Sequence, residues 1–294
     1  MKKHFYGGQA VIEGVMIRGQ KNCVVAVRNP EKNIVIKQIK IPSFSKAIYK
    51  KIPFIRGVII LLEMMVIGYR SLTKSSEIVE ENQNLNISTI EKLFSYLFSS
   101  AFLIIVLSFF FLVPLFLSDR FVFIEDNFVL NNILEGIIRL IFFILYIYLI
   151  SLNKDIKRVF AYHGAEHKTI AAYEDNIDTN LDNIEKIQLY AKEHPRCGTS
   201  FIMTVILVSI ILHVFIPREP LLLLYLSRIF LFPIIAGLSY ELIRLSSVTS
   251  DNIMSKLLSL PNIWMQKLTT AEPEDEMVEV ALAAINESIR LDAK

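Results

Sequence analysis

The chain has 294 residues, 53% of them hydrophobic, and its mean hydropathy is +0.46. This composition is too apolar for an ordinary soluble protein and predicts an α-helical polytopic membrane protein. The net charge of +2 gives no polyanion-binding signature, so no nucleic acid is expected as a partner. Cys23 and Cys197 are too few and too far apart for a disulfide framework, which favours a reducing compartment.

Residues 1–53 are predicted to form a cytoplasmic, β-rich segment. Val11–Ile17 is rich in β-branched residues and is expected to be one strand. Two further strands, Cys23–Arg28 and Ile34–Ile41, flank the loop Asn29–Asn33, in which Pro fixes φ and Asn tolerates positive φ. The segment therefore predicts a small antiparallel β-sheet.

Residues 54–95 are predicted to contain an amphipathic helix followed by a linker. Within Phe54–Leu72, the charged residues Arg56, Glu63 and Arg70 recur every seven positions, so on a helix they share one face. A charged stripe on an otherwise apolar helix favours an interfacial or re-entrant helix over a lipid-exposed span. A helix buried by a cytoplasmic domain is an equally open alternative.

Two membrane hairpins are predicted at 96–152 and 199–244, giving four spans. The hydrophobic stretches are Tyr96–Leu117, Asn132–Leu152, Thr199–Ile216 and Leu221–Ile243.

Arg228 lies inside the fourth stretch, where an unpartnered charge costs from about 2.5 to more than 10 kcal/mol at the bilayer centre. We therefore expect Arg228 to face the helix bundle and to pair with Glu135 or to lie in a polar cavity. The alternative is that its long side chain reaches the membrane surface.

The distribution of basic residues predicts the orientation. The loop at 118–131 is acidic, whereas the His-rich loop at 153–198 is rich in Lys and Arg, so the latter is expected in the cytoplasm. Both termini then lie on that side. The C-terminal region 245–294 is expected to form cytoplasmic helices, and its amphipathic stretch Pro273–Ile289 is expected to dock on the cytoplasmic domain.

His163 and His167 are the centre of the candidate chemistry. Four residues apart on a helix, their imidazoles can bind one zinc or other divalent ion. Glu166 completes an H-x-x-E-H pattern, in which the glutamate handles a proton. Gly164 weakens the helix prediction, because glycine disfavours a helix interior.

His194 and Cys197 extend this candidate site. With both histidines above they would complete a tetrahedral zinc set; four ligands would make a closed structural site, and three would leave a position that can activate water. Without a metal, the same side chains would form a hydrogen-bonded cap. Glu241 is a further candidate ligand or base, and Arg196 fits lipid phosphate or positive-inside contacts.

Several motifs spread over the chain resemble the YqhQ-type family of bacterial polytopic membrane proteins. They are Gly7–Gly19, Phe54–Gly57, Tyr162–Tyr173, His194–Phe201, Ala236–Glu241 and Leu268–Pro273.

The resemblance implies a multi-pass protein of the bacterial cytoplasmic membrane and carries an older label of predicted metal-dependent enzyme. That label is transferred to His163, Glu166, His167, His194 and Cys197. The further candidate site residues are charged: Glu13, Arg18, Arg196, Glu241 and Arg244.

Three functions compete at this point. The first is a metal-dependent enzyme at the cytoplasmic membrane face, such as a hydrolase acting on a lipid-linked or membrane-protein substrate. The second is a non-catalytic membrane factor that binds a membrane-protein partner or assists membrane-protein assembly, with the His/Cys cluster as a structural staple. A transporter is the weakest, because the predicted spans hold few polar residues and show no inverted repeat. The lipid bilayer is the partner common to all three.

Overall fold

The structure is a computed structural model that is mostly α-helical and contains a small antiparallel β-sheet, as the sequence predicts at this coarse level. It describes residues 6–42, 52–80, 113–118, 127–194, 197, 200–248 and 253–294, with single positions at 94, 97, 98, 101, 105, 109 and 120. The strands are β1 (Gly7–Val11), β2 (Gly14–Arg18), β3 (Cys23–Arg28) and β4 (Ile34–Gln38). The helices are α1 (Ile55–Val79), α2 (Phe128–Ser151), α3 (Lys154–Glu174), α4 (Ile184–Gln188), α5 (Ser200–Val214), α6 (Leu221–Phe230), α7 (Phe232–Val248), α8 (Ile253–Thr269) and α9 (Asp275–Asp292).

The chain divides into two compact units, each assembled from separate stretches of sequence. Unit 1 comprises residues 1–81, 150–205 and 236–294, and unit 2 comprises residues 82–149 and 206–235. The β-sheet, α3 and α9 therefore belong to unit 1.

The sheet of unit 1 is an antiparallel meander in the order β1-β2-β3-β4. The predicted hairpin around residues 29–33 is confirmed, since Arg28 pairs with Ile34 across that loop. The prediction of one strand over Val11–Ile17 is wrong: Val11 pairs with Gly14, so Ile12 and Glu13 form a two-residue turn. The turn residue Ile12 is itself β-branched, and Gly14 begins β2 instead of lying in the turn, which is why composition alone missed it.

Glu13 occupies the left-handed region in this turn, with φ 51°. Because Glu13 is not a glycine, this backbone conformation is unfavourable unless other contacts hold it. Both carboxylate oxygens accept from the Arg158 guanidinium, with Nη2–Oε2 at 2.6 Å, and the Tyr162 hydroxyl donates to Oε2 at 3.2 Å. The turn is thereby fastened to α3.

Both faces of the sheet are covered, so unit 1 has three layers. Val15 and Ile17 contribute to a core with α3 and α9, whereas Met16 lies in a second core with Ile67 of α1. This alternation follows from the two-residue period of a strand. The predicted docking helix is confirmed as α9, which packs on α3, β2 and β3.

Helix α1 is longer than predicted and has two unlike faces. Glu63 is buried and forms an ion pair with Arg18 of β2, with Nη2–Oε1 at 3.1 Å. Its apolar residues Leu62, Met65 and Tyr69 are exposed. Glu63 thus faces the sheet, whereas the exposed apolar residues lie on another face of the helix.

Among the described residues, one helix is long and apolar enough to cross a membrane, or up to two if a bent pair counts as one span. The helix is α2, with a mean hydropathy of 2.3, and the pair is Leu222–Arg228 with Phe232–Leu245. Phe201–Val214 is apolar but shorter. Most of the predicted span Tyr96–Leu117 lies outside the described residues.

Candidate metal centre

Helix α3 positions the two histidines. It begins after Asn153, whose side-chain oxygen accepts from the backbone nitrogen of Asp155 at 2.8 Å. Gly164 is needed for close approach, because a Cβ there would lie 2.2 Å from the carbonyl oxygen of Ala271. The backbone nitrogen of Ala271 also donates to the Phe160 carbonyl at 2.9 Å. Gly164, which weakened the helix prediction, thus allows residues 269–273 to pack directly against α3.

The structure brings together His163, His167 and Cys197. One ligand atom from each lies within 4.8 Å of the other two, and all three residues are buried. The imidazole centroids are 4.3 Å apart, as expected one helical turn from each other.

The backbone fixes the tautomer of both histidines. Nδ1 of His163 lies 2.8 Å from the Thr269 carbonyl oxygen, and Nδ1 of His167 lies 2.5 Å from that of Lys192. A carbonyl oxygen only accepts, so each Nδ1 carries the proton and each neutral ring keeps its lone pair on Nε2. Backbone carbonyls hold metal-binding histidines in the same way in known metal sites.

The lone pairs have different surroundings. Nε2 of His163 is 3.1 Å from the sulfur of Cys197, whereas the buried Nε2 of His167 has no hydrogen bond of standard geometry to the described residues. Burial lowers the pKa of His167, which keeps its ring neutral. Two imidazole nitrogens and a thiol sulfur suit zinc, and the rings of His163 and His167 both approach the sulfur of Cys197. The residues therefore fit a divalent metal.

Glu166 lies beside this group and is also buried. Its Oε2 is 4.0 Å from Nε2 of His163 and has no hydrogen-bond partner among the described residues. The Gly8 backbone donates to the carboxylate, and a Cβ at Gly8 would lie 2.9 Å from Oε1. Burial raises the pKa of Glu166. The arrangement places a buried carboxyl next to three residues that could bind a metal.

His194, the fourth predicted ligand, lies outside the three-atom group. Its Nε2 is 3.2 Å from Oε2 of Glu174, and its ring centroid is 5.8 Å from that of His167. Gln266 binds its backbone twice, through Oε1 to the nitrogen at 2.7 Å and through Nε2 to the carbonyl at 2.9 Å. His194 therefore anchors the loop that carries Cys197.

Two of the charged candidates stabilise turns and termini. Arg18 donates to the carbonyl of Asn22 at 2.9 Å, besides pairing with Glu63, and so closes the β2–β3 connection. Glu241 accepts from Nε of Arg56 at 2.7 Å and from the backbone nitrogen of Phe54 at 3.1 Å. Both oxygens of Glu241 are engaged at the start of α1 rather than in the cluster.

The remaining charged candidates lie elsewhere. Glu13 occupies the β1–β2 turn, and Arg244 is exposed on α7. Arg196 lies outside the described residues.

Sequence reasoning missed the residues that support the centre: Gly8, Lys192, Gln266 and Thr269. Gly8 and Thr269 stand in the motifs that carry the family resemblance, so those motifs held a signal. Lys192 and Thr269 act through backbone carbonyls, which no side-chain pattern reveals. Gln266 has no sequence signal that would have singled it out.

Comparison with known proteins places this architecture in a family. The family described as "Protein of unknown function (DUF1385)" matches residues 52–291. The chain belongs to this family. It is similar to "Uncharacterized protein YqhQ" of Bacillus subtilis (strain 168), with 38% identity over 311 aligned residues that cover 100% of this chain and 96% of the relative. The YqhQ-type resemblance is thereby confirmed. No solved structure matches the chain.

Proposed function

We propose that this member of the family is a metal-dependent enzyme at the cytoplasmic face of the bacterial membrane. The observation that carries the proposal is the set of three convergent ligand atoms from His163, His167 and Cys197, with the buried carboxyl of Glu166 beside it. A structural zinc site uses four protein ligands, whereas a catalytic one uses three and keeps a position open.

The chain's own groups have distinct parts in this proposal. His163, His167 and Cys197 would hold the ion, and the carbonyls of Thr269 and Lys192 orient the imidazoles. The metal would supply an acidified water and polarisation of a carbonyl or phosphoryl oxygen. Glu166 would exchange the proton, since a carboxyl with a raised pKa suits acid–base work near neutral pH. This chemistry is that of a hydrolase.

The membrane part of the proposal includes four spans with both termini in the cytoplasm. It is supported by the apolar helix α2, by the shorter apolar helix α5 and by the bent pair in Leu222–Leu245. The exposed apolar stripe of α1 lies in the same unit as the candidate centre. A helix with one face packed against the protein and one exposed apolar face suits the membrane surface. We infer a lipid-linked or membrane-protein substrate.

A non-catalytic role is the second candidate, and one contact favours it. Nε2 of His163 lies within hydrogen-bonding distance of the Cys197 sulfur, at 3.1 Å, and this contact ties the loop after α4 to α3. The cluster could therefore serve as a staple in a membrane factor that binds a partner protein or assists membrane-protein assembly.

A single variant separates the two candidates. Glu166→Gln keeps the size of the side chain but cannot exchange a proton, so the full-length protein should retain its metal and lose hydrolysis. Metal content would be measured by inductively coupled plasma mass spectrometry. Hydrolysis would be screened on chromogenic esters, phosphodiesters and labelled peptides in detergent. The matched control is Glu276→Gln, because Glu276 is exposed on α9.

The outcomes are distinct. Bound metal in both proteins, with hydrolysis lost only in Glu166→Gln, supports the enzyme. Metal coordinated by four protein ligands in X-ray absorption spectra, with no hydrolysis by the wild type, supports the staple. A protein purified gently that contains no stoichiometric metal contradicts the metal site in either form.

A further inference from the structure

Helix α8 turns polar side chains inward and apolar side chains outward. From residue 260 to its end, the buried side chains are those of Asn262, Met265, Gln266 and Thr269. Leu260 and Trp264, in contrast, are 50% and 71% exposed. A helix whose outer face meets water normally has its apolar stripe on the core and its polar residues outside. The distribution in α8 is the reverse, so its outer face suits an apolar neighbour.

The candidate membrane span α2 has the same reversed distribution. Its buried residues are Asn132, Glu135, Gly136 and Arg139. Its apolar side chains Ile141 and Leu145 are exposed. The expected pairing of Arg228 with Glu135 is confirmed on this polar inner side, with Nη2–Oε2 at 2.8 Å. Polar groups that face inward and apolar groups that face outward are typical of helices in contact with lipid. Helix α8 therefore shares a feature of the helix best suited to cross the membrane.

The outer face of α8 is defined by three exposed residues, Leu260, Trp264 and Lys267. Spacings of four and three positions place them on one side of the helix. Tryptophan prefers the boundary between acyl chains and headgroups, and lysine is attracted to anionic headgroups. Only residues 249–252 separate α8 from α7, which contains the second half of the bent candidate span. A connection this short keeps the start of α8 close to the end of that span.

The inner side of α8 is attached to the candidate metal centre. Gln266 makes two hydrogen bonds with the backbone of His194, at 2.7 and 2.9 Å, and so holds the loop that carries Cys197. The carbonyl oxygen of Thr269 lies 2.8 Å from Nδ1 of the ligand residue His163. An α-helix with its side chains is about 10–12 Å across. Whatever covers the outer face of α8 therefore lies about one helix diameter from the centre.

We propose that the outer face of α8 lies in the headgroup region of a bilayer that contains anionic lipids. Leu260 and Trp264 bury apolar area at the boundary with the acyl chains, and Lys267 binds lipid phosphate. This inference rests on the membrane location in the proposed function and is independent of catalysis. It also narrows the proposed substrate, whose reacting group would lie near the headgroups, about one helix diameter from the surface that α8 contacts.

Trp264 makes the test direct, because it is the single tryptophan of the chain. The full-length protein is reconstituted into vesicles of phosphatidylcholine and phosphatidylglycerol, and its tryptophan fluorescence is recorded. We expect emission at shorter wavelength than in water, little quenching by acrylamide and strong quenching by brominated lipids. Bromine near the headgroup end of the acyl chains should quench about twofold more than bromine near the terminal methyl, because an interfacial helix is buried only about 5–10 Å.

A charge reversal makes the test specific. Lys267→Glu should reduce quenching by brominated lipid in anionic vesicles, whereas Lys294→Glu, the same change at the exposed end of the chain, should not. The inference is overturned if acrylamide quenches Trp264 and brominated lipids do not, which would mean water, or if neither quenches it, which would mean a covering protein surface. Equal quenching in the two variants would also overturn it. Release of the protein by alkaline carbonate would contradict the spans of the proposed function, whereas lipid quenching decides the position of α8.

Discussion

Nε2 of His163 and the sulfur of Cys197 lie 3.1 Å apart, although 34 positions separate them in the sequence. Nδ1 of His163 faces a carbonyl, so in a neutral imidazole the Nε2 atom that faces the sulfur has the lone pair. His163 and Cys197 are therefore two of the three residues that would hold a divalent metal.

Removal of this sulfur should abolish metal binding. The wild type is expected to hold about one zinc per chain, and Cys197→Ser should lose most of it, because a hydroxyl is a far weaker zinc ligand than a thiolate. Metal content and the unfolding midpoint, with and without a chelator, are the measurements. Chelation should lower the midpoint of the wild type and leave that of Cys197→Ser unchanged.

The second buried cysteine provides the matched control. Cys23 lies in the core between β3 and α1, so Cys23→Ser should lose stability but keep its metal. Equal zinc content in the wild type and Cys197→Ser would rule out the cluster as the binding site.

The Glu13–Arg158 pair should contribute modestly to stability. Its side chains are 24% and 43% exposed, so solvent screens the interaction, and a double-mutant cycle with Glu13→Gln and Arg158→Met should give a coupling energy of about 0.5–1 kcal/mol. The cycle is measured by denaturant unfolding in detergent.

Arg290 and Glu287 on α9 give a comparison pair, also partly exposed. Their coupling should be smaller, because Arg290 is more exposed and solvent screens its interaction with a neighbour on the same helix more strongly. A Glu13–Arg158 coupling no larger than this would mean that the pair does not fasten the turn to α3.

The core of the candidate site could be predicted from local sequence. The spacing of His163 and His167 defines one helix face, and Cys197 adds a soft ligand from a polar stretch farther along the chain. The place of His194 could not be predicted, because it depends on Glu174 at the far end of α3 and on Gln266 of α8. Spacing identifies candidate ligands that lie close together in the sequence. It does not show which other side chains bind them, because those contacts depend on the tertiary fold.

Prediction of the fold from the sequence is limited in the same way. The stripe Val278, Leu282 and Ile285 predicted a docking helix correctly, since a period of 3.6 identifies a buried face. In α1, the sequence identified the helix face that carries Glu63. It did not identify the partner of that carboxylate, which is Arg18 of β2. A charged stripe on an apolar helix is therefore equally compatible with packing against the protein and with binding at the membrane surface.

Gly164→Ala should destabilise the protein, although alanine is normally the better helix former by about 0.8–1 kcal/mol. The added Cβ would lie 2.2 Å from the Ala271 carbonyl, so α3 and the 269–273 segment must separate. We expect a net loss of about 1–3 kcal/mol, as for other overpacked sites, together with loss of metal, because the Thr269 carbonyl would shift. Gly7→Ala is the control, since nothing lies within 4 Å of a Cβ there. A more stable Gly164→Ala protein would refute this close approach.

The ionisation of Cys23 should make the protein less stable at high pH. Burial raises the pKa of this thiol from 9.0 to about 12, so between these values the folded state keeps a proton that the unfolded state releases. Unfolding then becomes more favourable as the pH rises above about 9, by about 1.4 kcal/mol between pH 8 and pH 10. Denaturant unfolding of the wild type and Cys23→Ala at both pH values isolates this effect, because the variant retains every other titrating group. Cys23→Ala should be less stable at pH 8, having lost buried volume, but should lose about 1.4 kcal/mol less on going to pH 10. Parallel losses in the two proteins would mean that the folded thiol titrates near its ordinary pKa and that β3 is open to solvent at this position.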